Sequence, residues 1–387
     1  MKKLTTLFMA VLLLQSLSIF AQDAAPLPEE NPLATEPAAA IVDGEEEDEE
    51  KGFELTGFVD AYYQAGLTES SEAEEPIAFP TSFTDQTNQF AIGMVNLMAT
   101  KEMGKVSFVG QVGFGPRAVA ANSDSNDDGS FGDNFASTIQ QLYVSYSPSD
   151  AVTFTLGNFG TFVGYEVIDA PANVNYSTSY LFSNGPFYHT GAKVDFAISD
   201  GFGAMIGVFN DTDSKIDAID GKHIGGQLSF ETGGLAAYLN VLAGKEAEGD
   251  RPDETDDDLN EFQIDLTATY EVSESVGLGL NVSNYSTSLD GVGQGGFFGT
   301  ALYGTFGFSE TAALGLRAEL FNLTLPEDAT GDTPSILSLT ASGNFTVGDL
   351  RIIPELRFDT GSNGIIFGDT VDDDSIIAFI LAGVYSF

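Results

Sequence analysis

The sequence predicts an all-β protein, a transmembrane antiparallel β-barrel of about sixteen strands. Three observations lead there. The stretch from Ser375 to Phe387 alternates with period two and ends on an aromatic residue. Amphipathic stretches of similar length recur from residue 52 onward. The connections between them are alternately short and long, as in barrels that keep tight turns at one membrane face and long loops at the other.

The last stretch is the clearest. Tyr385, Gly383, Leu381, Phe379 and Ile377 share one parity, while Ser386, Val384, Ala382, Ile380 and Ala378 share the other. Its length suits a tilted strand crossing a bilayer. A hydrophobic strand with an open edge is an aggregation hazard, and pairing with the first strand of a barrel removes that edge. The ending, with Tyr385 and Phe387, resembles the assembly signal of bacterial outer-membrane barrels. A soluble sandwich could use one such strand at its edge, but here the pattern fills the chain.

The first strand is expected over 53–66. Phe53, Leu55, Gly57, Val59, Ala61 and Tyr63 take one face, and Glu54, Thr56, Asp60 and Gln64 the other. Further strands are expected near 89–101, 104–115, 137–147, 151–159, 188–198, 202–210, 222–231, 234–244, 260–272, 275–286, 297–308, 311–322, 335–346, 349–359 and 375–387. Phe262, Ile264, Leu266, Ala268 and Tyr270 alternate cleanly with Glu261, Gln263, Asp265, Thr267 and Thr269. One face suits lipid and the other water, as a water-filled barrel requires. Parity does not decide the facing of 89–101 and 297–308, and Pro354 should remove one ladder hydrogen bond.

Short turns fall at Glu102–Gly104, Pro148–Asp150, Asp200–Gly201, Thr232–Gly233, Ser273–Glu274, Ser309–Glu310 and Val347–Gly348. Longer loops lie between them, near 67–88, 116–136, 160–187, 211–221, 245–259, 287–296, 323–334 and 360–374. The short turns are then periplasmic and the long loops extracellular.

Composition agrees. The 387 residues include 43 Gly and 31 Phe but no Cys or Trp, and the formal net charge is -44. Lack of Cys excludes disulfides, thiolate metal sites and a cysteine nucleophile. Residues 1–21 read as a signal peptide, with Lys2 and Lys3 before an apolar core and Ala21 at the cleavage site. Residues 22–51 are rich in Ala, Pro and acid, ending in EEEDEEK, and cannot bury a core. They read as a disordered acidic tether, and 52–387 as the barrel.

Asp124, Asn126 and Asp128, followed by Gly129, match the first half of a calcium loop. Phe135 stands where the closing Glu would be, which favours a merely solvated acidic loop. The two histidines, His189 and His223, have inward parity near the outer rim and sit in no nucleophile motif. Neither an enzyme nor a cofactor is expected.

Residues 157–191 read GNFGTFVGYEVIDAPANVNYSTSYLFSNGPFYHTG. Through Gly164-Tyr165-Glu166, Ile168-Asp169-Ala170-Pro171, Asn175-Tyr176-Ser177, Ser179-Tyr180-Leu181-Phe182 and Tyr188-His189-Thr190-Gly191, this segment resembles the OmpL-like β-barrel porins of Gram-negative bacteria. The resemblance implies a channel in the bacterial outer membrane, crossed many times by one chain. The implied partners are membrane lipid and lipopolysaccharide, the barrel-assembly machinery, small hydrophilic solutes and two further copies in a homotrimer, with no nucleic acid.

A loop this aromatic needs cover. Folding against the lumen wall supplies it, as the third loop of porins of this size does. Tyr165, Glu166 and Asp169 should then line a constriction. Arg317, Arg351 and Arg357 have inward parity near the closing seam and could oppose those acids across the pore, or pair with Glu319, Glu355 and Asp359 in the wall. The favoured reading is a porin passing small hydrophilic solutes. A solute-selective channel or binding barrel is the alternative, and a closed adhesin or structural barrel the third.

Overall fold

The computed structural model describes residues 52–68, 79–123, 136–216, 221–246, 259–289, 291–327, 329, 333–362 and 375–387. The leader, the acidic tether and the calcium-like Asp124, Asn126 and Asp128 lie outside them.

Sixteen strands form one closed antiparallel barrel in which each pairs with its neighbours in sequence and the first pairs with the last. They are β1 (Glu54–Gly66), β2 (Gln89–Met103), β3 (Val106–Phe114), β4 (Ile139–Ser149), β5 (Val152–Gly160), β6 (Tyr188–Ser199), β7 (Phe202–Phe209) and β8 (His223–Thr232). The second half holds β9 (Leu235–Glu246), β10 (Leu259–Ser273), β11 (Val276–Leu289), β12 (Val292–Ser309), β13 (Ala312–Thr324), β14 (Ser335–Val347), β15 (Leu350–Gly361) and β16 (Ser375–Ser386). A seven-residue helix, α1 (Pro116–Asn122), follows β3.

Strand bounds follow the period-two signal closely. β12 is the exception: it starts at Val292 rather than near 297. Its Gly-rich beginning has no alternation to read, yet it pairs with β11 as far as Leu289↔Val292. The loop expected over 287–296 is therefore a hairpin, turning at Gly291 with φ 83°. Pro354 has the expected cost, since the β14–β15 pairing lapses between Ser342↔Glu355 and Phe345↔Ile352 and resumes in the same register.

Facing follows parity too. On β10, Phe262, Ile264 and Leu266 are 43, 40 and 37% exposed on the outer surface, while Gln263, Asp265 and Thr267 are 4, 1 and 7% exposed inside. An outer face of that kind suits lipid. The seam pairs β1 with β16 from Phe58↔Ser386 to Gly66↔Ala378.

The inner face is not wet everywhere. Ile376, Ala378, Ile380, Ala382 and Val384 of β16 point inward and are buried. Ile380, Ala382 and Val384 join Phe58, Tyr62, Met94, Ala118, Ile168, Tyr176 and Ile353 in one apolar cluster. The interior beside the seam is a dry core because α1 and the long loop after β5 pack onto it.

Candidate functional site

The long loop after β5, residues 161–187 and here called L3, lies against the inner wall. Gly164, at φ 93°, supplies a left-handed backbone turn at its entry. Asn173 then closes a small ring: Val167 N–H donates to Asn173 Oδ1 (3.0 Å), and Asn173 Nδ2 donates to Val167 O (2.7 Å). Pro171 sits in a short 3-10 turn, Ala170–Ala172. A helical turn, α2 (Tyr180–Ser183), is capped by Ser179, whose Oγ accepts from Phe182 N–H.

A buried loop must find partners for its backbone polar groups. Here the barrel wall supplies many of them with charged side chains. Wall carboxylates accept the amides. Glu355 takes Tyr176 N–H (2.7 Å) and Ser177 N–H (3.1 Å), and Glu319 takes Tyr180 N–H (2.9 Å) and Leu181 N–H (2.7 Å). Asp265, from the far wall, takes Gly164 N–H at 3.0 Å. Guanidinium groups donate to the carbonyls. Arg317 reaches Ser177 O (2.6 Å), Arg357 reaches Thr178 O (2.9 Å), Arg351 reaches Ala170 O (2.6 Å) and Arg117 of α1 reaches Ile168 O (3.3 Å). The chain has five arginines, and all four among the described residues are spent on this loop.

The sequence-predicted residues come together, but in contact rather than across an opening. Glu166 Oε1 lies 2.6 Å from Arg317 Nη1, with both side chains buried. Asp169 accepts from Gln140 Nε2 (2.6 Å) and Gln111 Nε2 (2.8 Å). Burial is the main influence on Asp169 and raises its carboxyl above the usual carboxylate range, the two amide donors pulling the other way. Arg357 pairs with Asp359 at 2.9 Å within the wall, as the wall-pairing alternative expected. Tyr165 stacks on Tyr303 of β12, ring centroids 4.1 Å apart, and its hydroxyl end lies over Gly279, where a side chain would collide with it. A transverse field between opposed rows of acid and base does not fit these contacts, because Glu166 and Arg317 already touch.

Two residues of this arrangement were not singled out from the sequence. Parity places Asp60 on the polar face of β1 and says no more of it, and no pattern in the sequence marks Arg117. The β1–β2 register shifts between Val59 and Ala61, placing a bulge at Gly93–Met94 opposite Asp60. Asp60 accepts from Met94 N–H (2.7 Å) and Tyr176 Oη (2.7 Å), and lies 3.2 Å from Arg117 Nη2. The scarcity of arginine was the available signal for Arg117.

Part of the first long loop covers L3 from the seam side. Thr81 Oγ1 accepts from Arg357 Nη1 (3.0 Å), Ser82 O accepts from Thr178 Oγ1 (2.9 Å), and the Arg357 guanidinium lies 4.3 Å from the Phe79 ring centroid. On the other side, between Pro186 and strands β8 to β11, a cavity of about 160 Å³ remains, lined by Asp213, His223, Glu261, Gln263 and Tyr285 among others.

The family model described as "Putative beta-barrel porin-2, OmpL-like" matches residues 52–387. Among curated protein sequences none matches significantly. Several solved structures share the fold. OmpT of Vibrio cholerae in a trimer form is 12% identical, with 87% of this chain and 99% of that one covered at a TM-score of 0.57. An anion-selective porin from Comamonas acidovorans is 15% identical, with 87 and 99% covered and a TM-score of 0.56. Salmonella typhi OmpF, in complex with daunomycin, is 10% identical, with 87 and 97% covered and a TM-score of 0.58.

Proposed function

Since the chain belongs to the OmpL-like beta-barrel porin-2 family, we propose that it is an outer-membrane diffusion channel for small hydrophilic solutes, with L3 narrowing the pore. It is read as a channel and not as an enzyme. The observation that supports the role of L3 is the spending of Arg117, Arg317, Arg351 and Arg357 on its backbone. Cations buried to hold one loop are an expense that a rim contact would not require.

Acids outnumber bases by 58 to 14, and the whole chain carries -44. The channel should prefer cations, unlike the Comamonas neighbour. A homotrimer, contacts with lipopolysaccharide, and delivery by the barrel-assembly machinery through the Tyr385–Phe387 ending belong to the same proposal. Planar-bilayer recording tests it. Discrete conductance steps with a cation-selective reversal potential are expected in a salt gradient, whereas a silent barrel would support the closed structural reading.

A solute-selective channel is the second reading. The small cavity between L3 and β8–β11, with its acids, Gln263 and Tyr285, favours it. Flux that saturates with one solute would establish it over general diffusion.

A further inference from the structure

The long-loop end of the barrel carries an acid–imidazole cluster that the strapping of L3 does not use. His223, the first residue of β8, is 1% exposed. Its Nε2 lies 2.8 Å from Glu261 Oε2, and Glu261 Oε1 accepts from Tyr285 Oη. Both carboxylate oxygens of Glu261 are thus engaged. An imidazole that donates Nε2–H to Glu261 and binds a cation would do so through Nδ1. The Nδ1 atom is buried, makes no hydrogen bond, and lies 3.4 Å from Asp211 Oδ1.

We propose that Asp211 and His223 bind a divalent transition cation of the Zn²⁺ class, with Glu261 orienting the imidazole through Nε2. The spacing carries the inference. Ligand atoms at Zn–N and Zn–O distances of about 2.0–2.1 Å and 3.4 Å apart subtend about 110° at the metal, close to the tetrahedral angle. A hydrogen bond would draw the two atoms nearer. A carboxylate on the distal imidazole nitrogen is the usual support for a metal-bound histidine. The cavity of about 160 Å³ that His223, Glu261, Asp213 and Tyr285 help to line gives the ion a path and leaves its other positions open to water or solute. An imidazole–carboxylate pair suits Zn²⁺, Cu²⁺ or Ni²⁺ better than Ca²⁺ or Mg²⁺, which take oxygen ligands.

The inference does not depend on conduction, so its test is separate. The full chain, folded in detergent, is titrated with ZnCl₂ by calorimetry in millimolar MgCl₂, which competes for weak all-oxygen acidic sites. A saturable site is expected, weakened about tenfold or more in Asp211→Asn and in His223→Gln. Heat-modifiable mobility confirms that each variant is folded. Undiminished binding in folded His223→Gln, or none in the folded parent, overturns the proposal and leaves the cluster as a clasp in which an imidazolium joins two carboxylates.

Discussion

Arg317 Nη1 lies 2.6 Å from Glu166 Oε1 and also 2.6 Å from the carbonyl of Ser177. One guanidinium of β13 thereby holds both limbs of L3, and Glu166 in turn accepts Ser179 N–H at 2.6 Å. Removing one partner of a buried ion pair strands the other without solvent. Arg317→Ala should therefore weaken loop docking by roughly 3–5 kcal/mol. Limited proteolysis should cut L3 in the variant and spare it in the parent, and single-channel conductance should rise. Arg317→Lys should restore little, because one ammonium with three donors cannot span the five acceptor atoms that the planar guanidinium reaches. Arg317→Met combined with Glu166→Gln should do better than Arg317→Ala, since the Glu166 charge goes with its partner. An uncleaved, unchanged channel in Arg317→Ala would place the loop's anchorage elsewhere.

Charge selectivity follows from the same contacts. Glu166 is neutralised by Arg317, so Glu166→Gln should shift the reversal potential toward anions by exposing the field of the arginine, not by emptying an eyelet of acid. Glu261 and Asp213, which line the remaining cavity, should control cation preference more directly. Their replacement by Gln and Asn should lower that preference at low salt and matter less at high salt, where the Debye length is short. Insensitivity to both changes would move the conducting path away from the β8–β11 side.

How far the sequence could be read depended on the range of the interaction. Strands and turns were legible because period-two alternation and Gly at tight turns are local: β10 faces as its parity says, whereas β16, apolar on both parities, carries no facing signal. The inward fold of L3 was legible from Tyr165, Tyr176, Tyr180 and Phe182, which are too apolar to stand in water. Its anchors were half legible. Arg317, Arg351 and Arg357 announced themselves by inward parity, but parity cannot tell whether an arginine meets an acid in contact or across a gap. Asp60 and Arg117 stayed hidden because they depend on a bulge at Gly93–Met94 and on a helix that no periodicity marks. The start of β12 was missed because glycines carry no facing.

The stack of Tyr165 on Tyr303 gives a test independent of charge. Gly279 leaves room for the Tyr165 hydroxyl, and an added side chain would collide with it. Gly279→Val should expel the ring with no change in charge, and Tyr165→Ala should remove it. Tyr165→Ala should destabilise docking by about 3 kcal/mol, in the range for a buried aromatic. Both variants should show increased protease access to L3. If only Tyr165→Ala does so, the space over Gly279 can be relieved by a small shift of β11.

Asp169 makes docking pH-dependent. Burial holds its carboxyl higher in the docked loop than in an undocked one. An acid raised in the docked state binds its proton more tightly there, so its contribution is full below the free carboxylate range and is lost as pH rises through the raised value. Protease protection of L3 should therefore increase on acidification in the parent. Asp169→Asn, which resembles the protonated group, should flatten that rise. A parent whose protection falls on acidification would assign the dependence to another group.

Closure of the barrel is the last relationship to test. Gly57 N–H donates to Phe387 O and Phe387 N–H donates to Gly57 O, both at 2.9 Å, so the terminal residue completes the β1–β16 ladder. The Phe387 ring lies against Gly57, where a Cβ would approach its Cζ to 2.8 Å. Deleting Phe387 removes two hydrogen bonds, worth roughly 1 kcal/mol each, from a seam that keeps its pairs from Phe58↔Ser386 to Gly66↔Ala378. Stability alone should then fall only slightly. If Phe387 serves assembly, the yield of heat-modifiable barrel in cell membranes should fall far more than the midpoint of thermal unfolding of the purified, refolded variant. Gly57→Leu separates the two effects, because it displaces the ring and presses β1 against the Asn96 carbonyl of β2 while leaving the aromatic ending available for recognition. It should lower the unfolding midpoint yet assemble better than the deletion. Equal assembly of the deletion and the parent would reduce Phe387 to a structural residue of the seam.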